Sequence, residues 1–206
     1  IKAMTEKQAE EARKAGVTVV PMKTPELGPN MYYTMNISPA DCTGCNLCVK
    51  NCPVKALAMA PASEVMAENQ AAFNAAEKLP DIPREKLNLN IPKHVELLPH
   101  YFEFPGACAG CGETPYVKLL SHLFGDRMVV ANATGCSSIY GANLPTTPWT
   151  KDANGRGPAW SNSLFEDNAE YGLGMRLAIN QKRDALKGIL FELGLDNVEE
   201  MFAETD

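Results

Sequence analysis

Apolar and polar positions alternate between residues 31 and 38, where Met31, Tyr33, Met35 and Ile37 oppose Tyr32, Thr34, Asn36 and Ser38. A period of two predicts a half-buried strand there. Upstream, TEKQAEEARKA at 5–15 is charged and alanine-rich and ends at Gly16, which predicts a short helix with a glycine stop. Pro21, Pro25, Gly28 and Pro29 predict a loop. Residues 54–60 are apolar enough for a returning strand. A helix is expected over 63–79, with Val65, Met66, Phe73, Ala76 and Leu79 on one stripe and Pro80 as its stop. Prolines at 80, 83, 92, 99 and 105 make 80–106 read as an extended linker.

Beyond the linker the period changes. Residues 113–124 predict an amphipathic helix ended by Gly125, and RMVVANA at 127–133 a buried-type strand of a parallel sheet. An irregular stretch with NLPTTPWT and GRGPAW runs to Trp160. Helical spacing returns over 164–193, with Phe165, Ala169, Leu173 and Leu177 four apart. Gly172 and Gly174 fall inside that helix, at about 1 kcal/mol each relative to alanine. They point to close approach of another backbone or a cofactor, or to a break.

A formal charge of −6 argues against a general nucleic-acid binder, whose phosphate contacts need a basic field. No apolar run approaches the roughly 18–20 residues that span a bilayer, so no membrane role is expected. No charged-then-apolar leader is visible, and a first residue Ile1 in place of methionine suggests sequence upstream. His94, His100 and His122 are scattered and read as surface or capping residues. NIS at 36–38 and NAT at 132–134 match the glycosylation pattern, which a cytosolic metalloprotein would not have modified.

Seven cysteines change the picture. An odd number cannot pair completely within one chain, and a reducing compartment disfavours a disulfide framework. They are grouped as Cys42, Cys45, Cys48 and Cys52, then Cys108 and Cys111, then Cys136. DCTGCNLCVKNCP has the C-x2-C-x2-C-x3-C-P spacing of a [4Fe–4S] ferredoxin module, in which three thiolates grip one cubane and the fourth serves a second cluster. A zinc ribbon would show two C-x2-C knuckles separated by a longer loop. Such a module has two copies of the motif and this sequence has one. The partner copy is expected upstream of Ile1. Cys108, Cys111 and Cys136 form a second set of three: either a zinc site with one other ligand, or another iron–sulfur cluster lacking one. Three cubanes would want twelve thiolates, so five would lie outside this sequence: four upstream, and one beyond Asp206. Gly44, Ala109, Gly110 and Gly112 are small enough to leave backbone N–H groups free to face sulfur.

With these motifs placed, the sequence resembles an internal piece of the pyruvate:ferredoxin (flavodoxin) oxidoreductase family. EFPGACAGCGETPYVKLLSHLFGDRMVVANATGCSSIYGANLPTTP, followed by GRGPAWSNSLFEDNAEYGLGM, is similar to the start of that family's thiamine diphosphate-binding domain. SPADCTGCNLCVKNCP is similar to the second cysteine motif of its inserted ferredoxin domain. The resemblance implies an α/β chain: a partial, α+β ferredoxin-like domain at 1–62, a helix and proline-rich linker at 63–106, and the first part of the thiamine domain at 107–206. It implies three [4Fe–4S] clusters, with Cys42, Cys45 and Cys48 on the outermost, Cys52 on the middle one, and Cys108, Cys111 and Cys136 on the innermost. Glu113 and Cys136 match positions that also touch thiamine diphosphate, whose magnesium site would lie outside this chain. The implied reaction is oxidation of pyruvate with CoA to acetyl-CoA and CO2, with ferredoxin or flavodoxin as acceptor, in a cytoplasmic homodimer. Because the family's Gly-Asp-Gly stretch and its activating glutamate are absent, the piece alone is expected to be inactive. The alternative is a non-catalytic ferredoxin-like or zinc-binding protein.

Overall fold

The computed structural model describes residues 1–23, 27–142 and 147–203. Pro25 of the expected loop and NLPT of the irregular stretch lie outside the described residues. Two compact units are present: Ile1–Met128 with Pro145–Pro158, and Val129–Leu144 with Ala159–Asp206.

In the first unit, β1 (Lys2–Thr5) leads directly into α1 (Glu6–Lys14). Thr5 caps the helix, its N–H and its hydroxyl both donating to Gln8 Oε1 at 2.9 and 2.8 Å. Gly16, at φ 81°, ends the segment, as expected. Next come β2 (Val20–Pro21) and β3 (Met31–Thr34). The sheet order is β1-β3-β2, all antiparallel, with Ala3 opposite Tyr33 and Val20 also opposite Tyr33.

That order corrects two expectations. The strand expected over 31–38 stops at Thr34, and Met35 and Ile37 are exposed while Thr34 and Ser38 are buried. No strand forms over 54–60. Both edges of β3 are already taken, by β1 and β2, so a returning strand has no edge to pair with. After β3 the cysteine motif is carried on a loop with one short helix, α2 (Leu47–Asn51).

Two apolar clusters flank β1, because successive strand residues point to opposite faces. Met4 joins Ala9 and Ala12 of α1, Val17, and Ala76 of α3 (Ala62–Glu77). Ala3 joins Leu87, Val95, Leu97 and Leu98. Four of those five residues come from 80–106, so this segment is core and not an extended linker. Pro83 precedes a 3-10 turn, and Pro92 opens a four-residue helix, α4 (Pro92–Val95). The segment is then clamped: Thr150 N–H donates to Tyr101 O, Glu103 N–H to Pro148 O, and the rings of Phe102 and Trp149 lie 4.7 Å apart. Helix α5 (Thr114–Phe124) matches expectation and ends at Gly125.

Histidine is the other correction. His94 and His122 are buried, and His100 Nδ1 lies 3.0 Å from His122 Nε2, joining the 99–103 segment to α5. His94 Nδ1 accepts the Asn88 N–H at 3.0 Å.

In the second unit β4 (Val129–Asn132) pairs in parallel with β5 (Ala159–Asn162), in register from Val129–Ala159 to Asn132–Asn162. The parallel pairing is as expected; β5 itself lies in what reads as irregular sequence. Between them comes α6 (Cys136–Ala142), and after them α7 (Asn168–Glu192) and α8 (Val198–Ala203). Helix α7 runs unbroken through both glycines. A Cβ on Gly172 would sit 3.6 Å from Ala131 Cβ, so this glycine marks close approach of helix to strand, while Gly174 faces open space. The fold class is α/β.

Candidate iron–sulfur site

The loop carrying Cys42, Cys45, Cys48 and Cys52 begins at an anchored point. Gln70 Oε1, on α3, accepts the Ala40 N–H at 3.1 Å and lies 3.0 Å from Ser38 Oγ. The Ser38 hydroxyl in turn donates to Asp41 Oδ2 at 2.5 Å. Two left-handed residues then fold the chain, Gly44 at φ 69° and Asn46 at φ 64°. Left-handed backbone is cheap for glycine and tolerable for asparagine; Cys42 and Cys45 are exposed in this loop, and Cys48 is exposed within α2. Cys52 caps that helix. Its Sγ accepts the Ala56 N–H at 3.2 Å, and backbone amides, Ala56 foremost, hold its thiol below the ordinary cysteine range.

CAGC forms the second turn. Cys111 N–H donates to Cys108 O at 3.0 Å across Gly110, which sits at φ 75°. Glu113 is exposed and is the N-cap residue of α5, and the Thr114 and Glu113 amides of that helix start lower the Cys111 thiol as well. A Cβ on Gly110 would come 3.6 Å from Leu47 Cδ1. The Leu47 side chain, inside the first cysteine motif, therefore approaches the CAGC turn. Cys136 belongs to the second unit, exposed at the first position of α6.

All seven cysteines are free thiols. Among the described residues no three His, Cys, Asp or Glu side chains converge on a point as ligands of a single ion would. A cubane is larger than a single ion: each thiolate takes its own iron, so the ligands surround the cluster centre at a greater distance than they would surround one ion. The donor set is soft, and amide N–H groups face two of the sulfurs, as suits an anionic thiolate on iron. These residues fit an iron–sulfur cluster. Sequence reasoning missed Gln70, which anchors the loop from 30 residues away; only its position on the predicted α3 helix was available as a signal.

A 4Fe-4S binding domain family model matches residues 35–58, the span that contains the whole first motif. Among curated proteins, a pyruvate-flavodoxin oxidoreductase of Rhodospirillum rubrum is 49% identical over 190 residues, covering 89% of this chain and 16% of the relative. The chain belongs to the pyruvate:ferredoxin (flavodoxin) oxidoreductase family. Pyruvate:ferredoxin oxidoreductase of Moorella thermoacetica is 53% identical over 160 residues (76% of this chain, 13% of the relative). A Cryptosporidium parvum protein named pyruvate dehydrogenase [NADP(+)] is 48% identical over 177 residues, covering 85% of this chain and 9% of the relative. The chain thus spans roughly a tenth to a sixth of the length of these relatives. Among the described residues no helix is long and apolar enough to cross a membrane.

Proposed function

We propose that this chain is the electron-relay segment, and part of the thiamine diphosphate-binding domain, of an enzyme that oxidises pyruvate with CoA to acetyl-CoA and CO2 in the cytoplasm. Its electrons would pass to ferredoxin or flavodoxin, and the working enzyme would be a homodimer. The observation that carries this reading is the approach of Leu47, inside the first cysteine motif, to the Gly110 turn of the second within one unit. Adjacent cluster sites are what single-electron hopping requires. Residues 1–62 would contribute to a ferredoxin-type domain and 107–206 to the thiamine domain, joined by the packed 63–106 segment.

When bound, the clusters supply one-electron transfer, which is what a two-electron oxidation needs in order to reduce one-electron acceptors. The chain's own residues hold them. Cys42, Cys45 and Cys48 would grip one cluster, Cys52 would serve a second, and Cys108, Cys111 and Cys136 a third. The amides facing Cys52 and Cys111 favour the thiolate form of those sulfurs and would tune them through hydrogen bonds. Glu113 and Cys136 would border thiamine diphosphate. Cys136 follows β4, and the carboxyl ends of parallel strands are where α/β sheets place ligands. The magnesium ligands would come from elsewhere in the polypeptide, and the 206-residue chain alone is expected to turn over no pyruvate.

Iron and acid-labile sulfide analysis of the full-length protein, prepared anaerobically, tests the assignment. About three [4Fe–4S] clusters are expected, and Cys136→Ser should remove or alter one of them. Zinc without sulfide would defeat the proposal and favour a structural metal site.

A further inference from the structure

In the second unit the turn between β4 and α6 is organised around one side chain. Asn132, the last residue of β4, places Nδ2 within hydrogen-bond distance of three acceptors that its two N–H groups share: Ala133 O at 2.9 Å, Asn162 Oδ1 at 2.9 Å and Ser138 Oγ at 3.2 Å. Its Oδ1 accepts the Ser137 hydroxyl at 2.8 Å. Ser138 closes the same turn: Oγ accepts the Gly135 N–H and donates to Ala133 O, both at 3.1 Å, and the Ser138 N–H reaches Gly135 O at 3.1 Å. Thr134 Oγ1 ties the turn to Ser163 O at 2.9 Å. Cys136 sits in the middle of this network, with its thiol exposed.

A primary amide suits this hub because it carries two N–H donors and a carbonyl acceptor in one plane. Aspartate would keep the acceptor but lose both donors, setting a carboxylate against Asn162 Oδ1. Alanine would lose every bond. The NAT sequence at 132–134 reads as a glycosylation pattern, yet here the asparagine amide is spent inside the turn.

We propose that Asn132 is a positioning residue for Cys136: it locks the β4–α6 turn so that Sγ is presented in one direction to the iron it would ligate. The inference rests on the cluster assignment above, and its test separates the two.

The full-length protein, prepared anaerobically, is compared with Asn132→Ala, Asn132→Asp and Ser161→Ala. The last breaks the Ser161–Tyr171 hydroxyl bond in the same unit without touching the turn. Readouts are the EPR signals and midpoint potentials of the individual clusters, and the rate at which a chelator removes iron. Both Asn132 variants are expected to change the signal and potential of one cluster only, the one that Cys136→Ser also changes. They should release about a third of the iron roughly tenfold faster, a 1.4 kcal/mol effect. Ser161→Ala should do neither. Unchanged spectra and release rates in both Asn132 variants would overturn the proposal, as would the same effect from Ser161→Ala, since generic loosening of the unit would then suffice. If Cys136→Ser leaves iron content and every cluster signal untouched, the cluster assignment of Cys136 fails. Amide hydrogen exchange over 133–138 in the same proteins then decides the positioning role: roughly tenfold faster exchange in Asn132→Ala than in Ser161→Ala supports it, and equal rates overturn it.

Discussion

The two units bury their apolar residues to very different extents. The first closes a core around β1: Met4, Leu98 and Phe102 are each 1–2% exposed. In the second, α7 has no buried residue over its 25 positions, and Leu173, Leu177, Ile189 and Leu193 are all more than half exposed. Apolar exposure on that scale marks a surface made to be covered, and the relatives are several times longer than this chain. The difference teaches that stability and chemistry divide here. The first unit carries its own packing and six of the seven cysteines; the second carries Cys136 at the start of α6, after a turn held by polar side chains.

The sharpest way to break this comparison is a pair of truncations. Leu98→Ala should cost about 3 kcal/mol, the middle of the range for a buried leucine, while Leu177→Ala in the 206-residue chain should cost less than about 0.5 kcal/mol, as for surface changes. Each unit has one tryptophan, Trp149 in the first and Trp160 in the second. Urea unfolding followed by fluorescence of single-tryptophan variants therefore reads the two separately. Equal losses at Leu98 and Leu177 would abolish the distinction. Gly125→Ala comes next. A Cβ there would lie 2.3 Å from Ser121 O and 2.4 Å from the Tyr101 ring, and neither the helix backbone nor a clamped ring can step aside cheaply. A loss of about 2 kcal/mol is expected, on the scale of an overpacked core, read by the Trp149 transition and absent from that of Trp160.

What could be read from the sequence follows how local each signal is. Helices α1, α3 and α5 are legible because apolar spacing and a stop residue (Gly16, Pro80 or Gly125) are written locally. The cysteine motif is legible because its ligand spacing is itself the chemistry. Strand pairing is not local: nothing in 54–60 announces that both edges of β3 are occupied by β1 and by Val20–Pro21. The 80–106 segment shows the same limit. Its prolines suggest extension, yet Leu87, Val95, Leu97 and Leu98 among them are dense enough to form a core, and it is Ala3, more than 80 residues away, that makes them one. The turn around Cys136 is legible only as small residues; that Asn132 reaches Asn162 on the neighbouring strand needs the parallel register.

The histidine pair supplies the smallest test and the one most specific to the first unit. Burial, chiefly, pushes His100 down to about 3, helped by the nearby Ile1 ammonium, by His122 and by the cations Lys118 and Lys2; His122 is lowered too, again mainly by burial. The sign follows from the protons each state binds. Above the ordinary histidine value of about 6.5, folded and unfolded forms are both neutral and the stability is complete. As pH falls below it, the unfolded chain takes up a proton that folded His100 refuses until about 3, so stability is lost progressively across that window. For one such histidine the loss should reach about 1.4 kcal/mol by pH 5.5. Glu103, whose carboxyl is raised by burial, acts in the opposite sense, so the histidine share is isolated by measuring His100→Gln beside the parent chain. The variant should flatten the Trp149 transition between pH 7 and 5.5 and leave that of Trp160 unchanged. If the pH dependence survives the substitution in full, or appears equally in both transitions, the buried pair is not what distinguishes the first unit in acid.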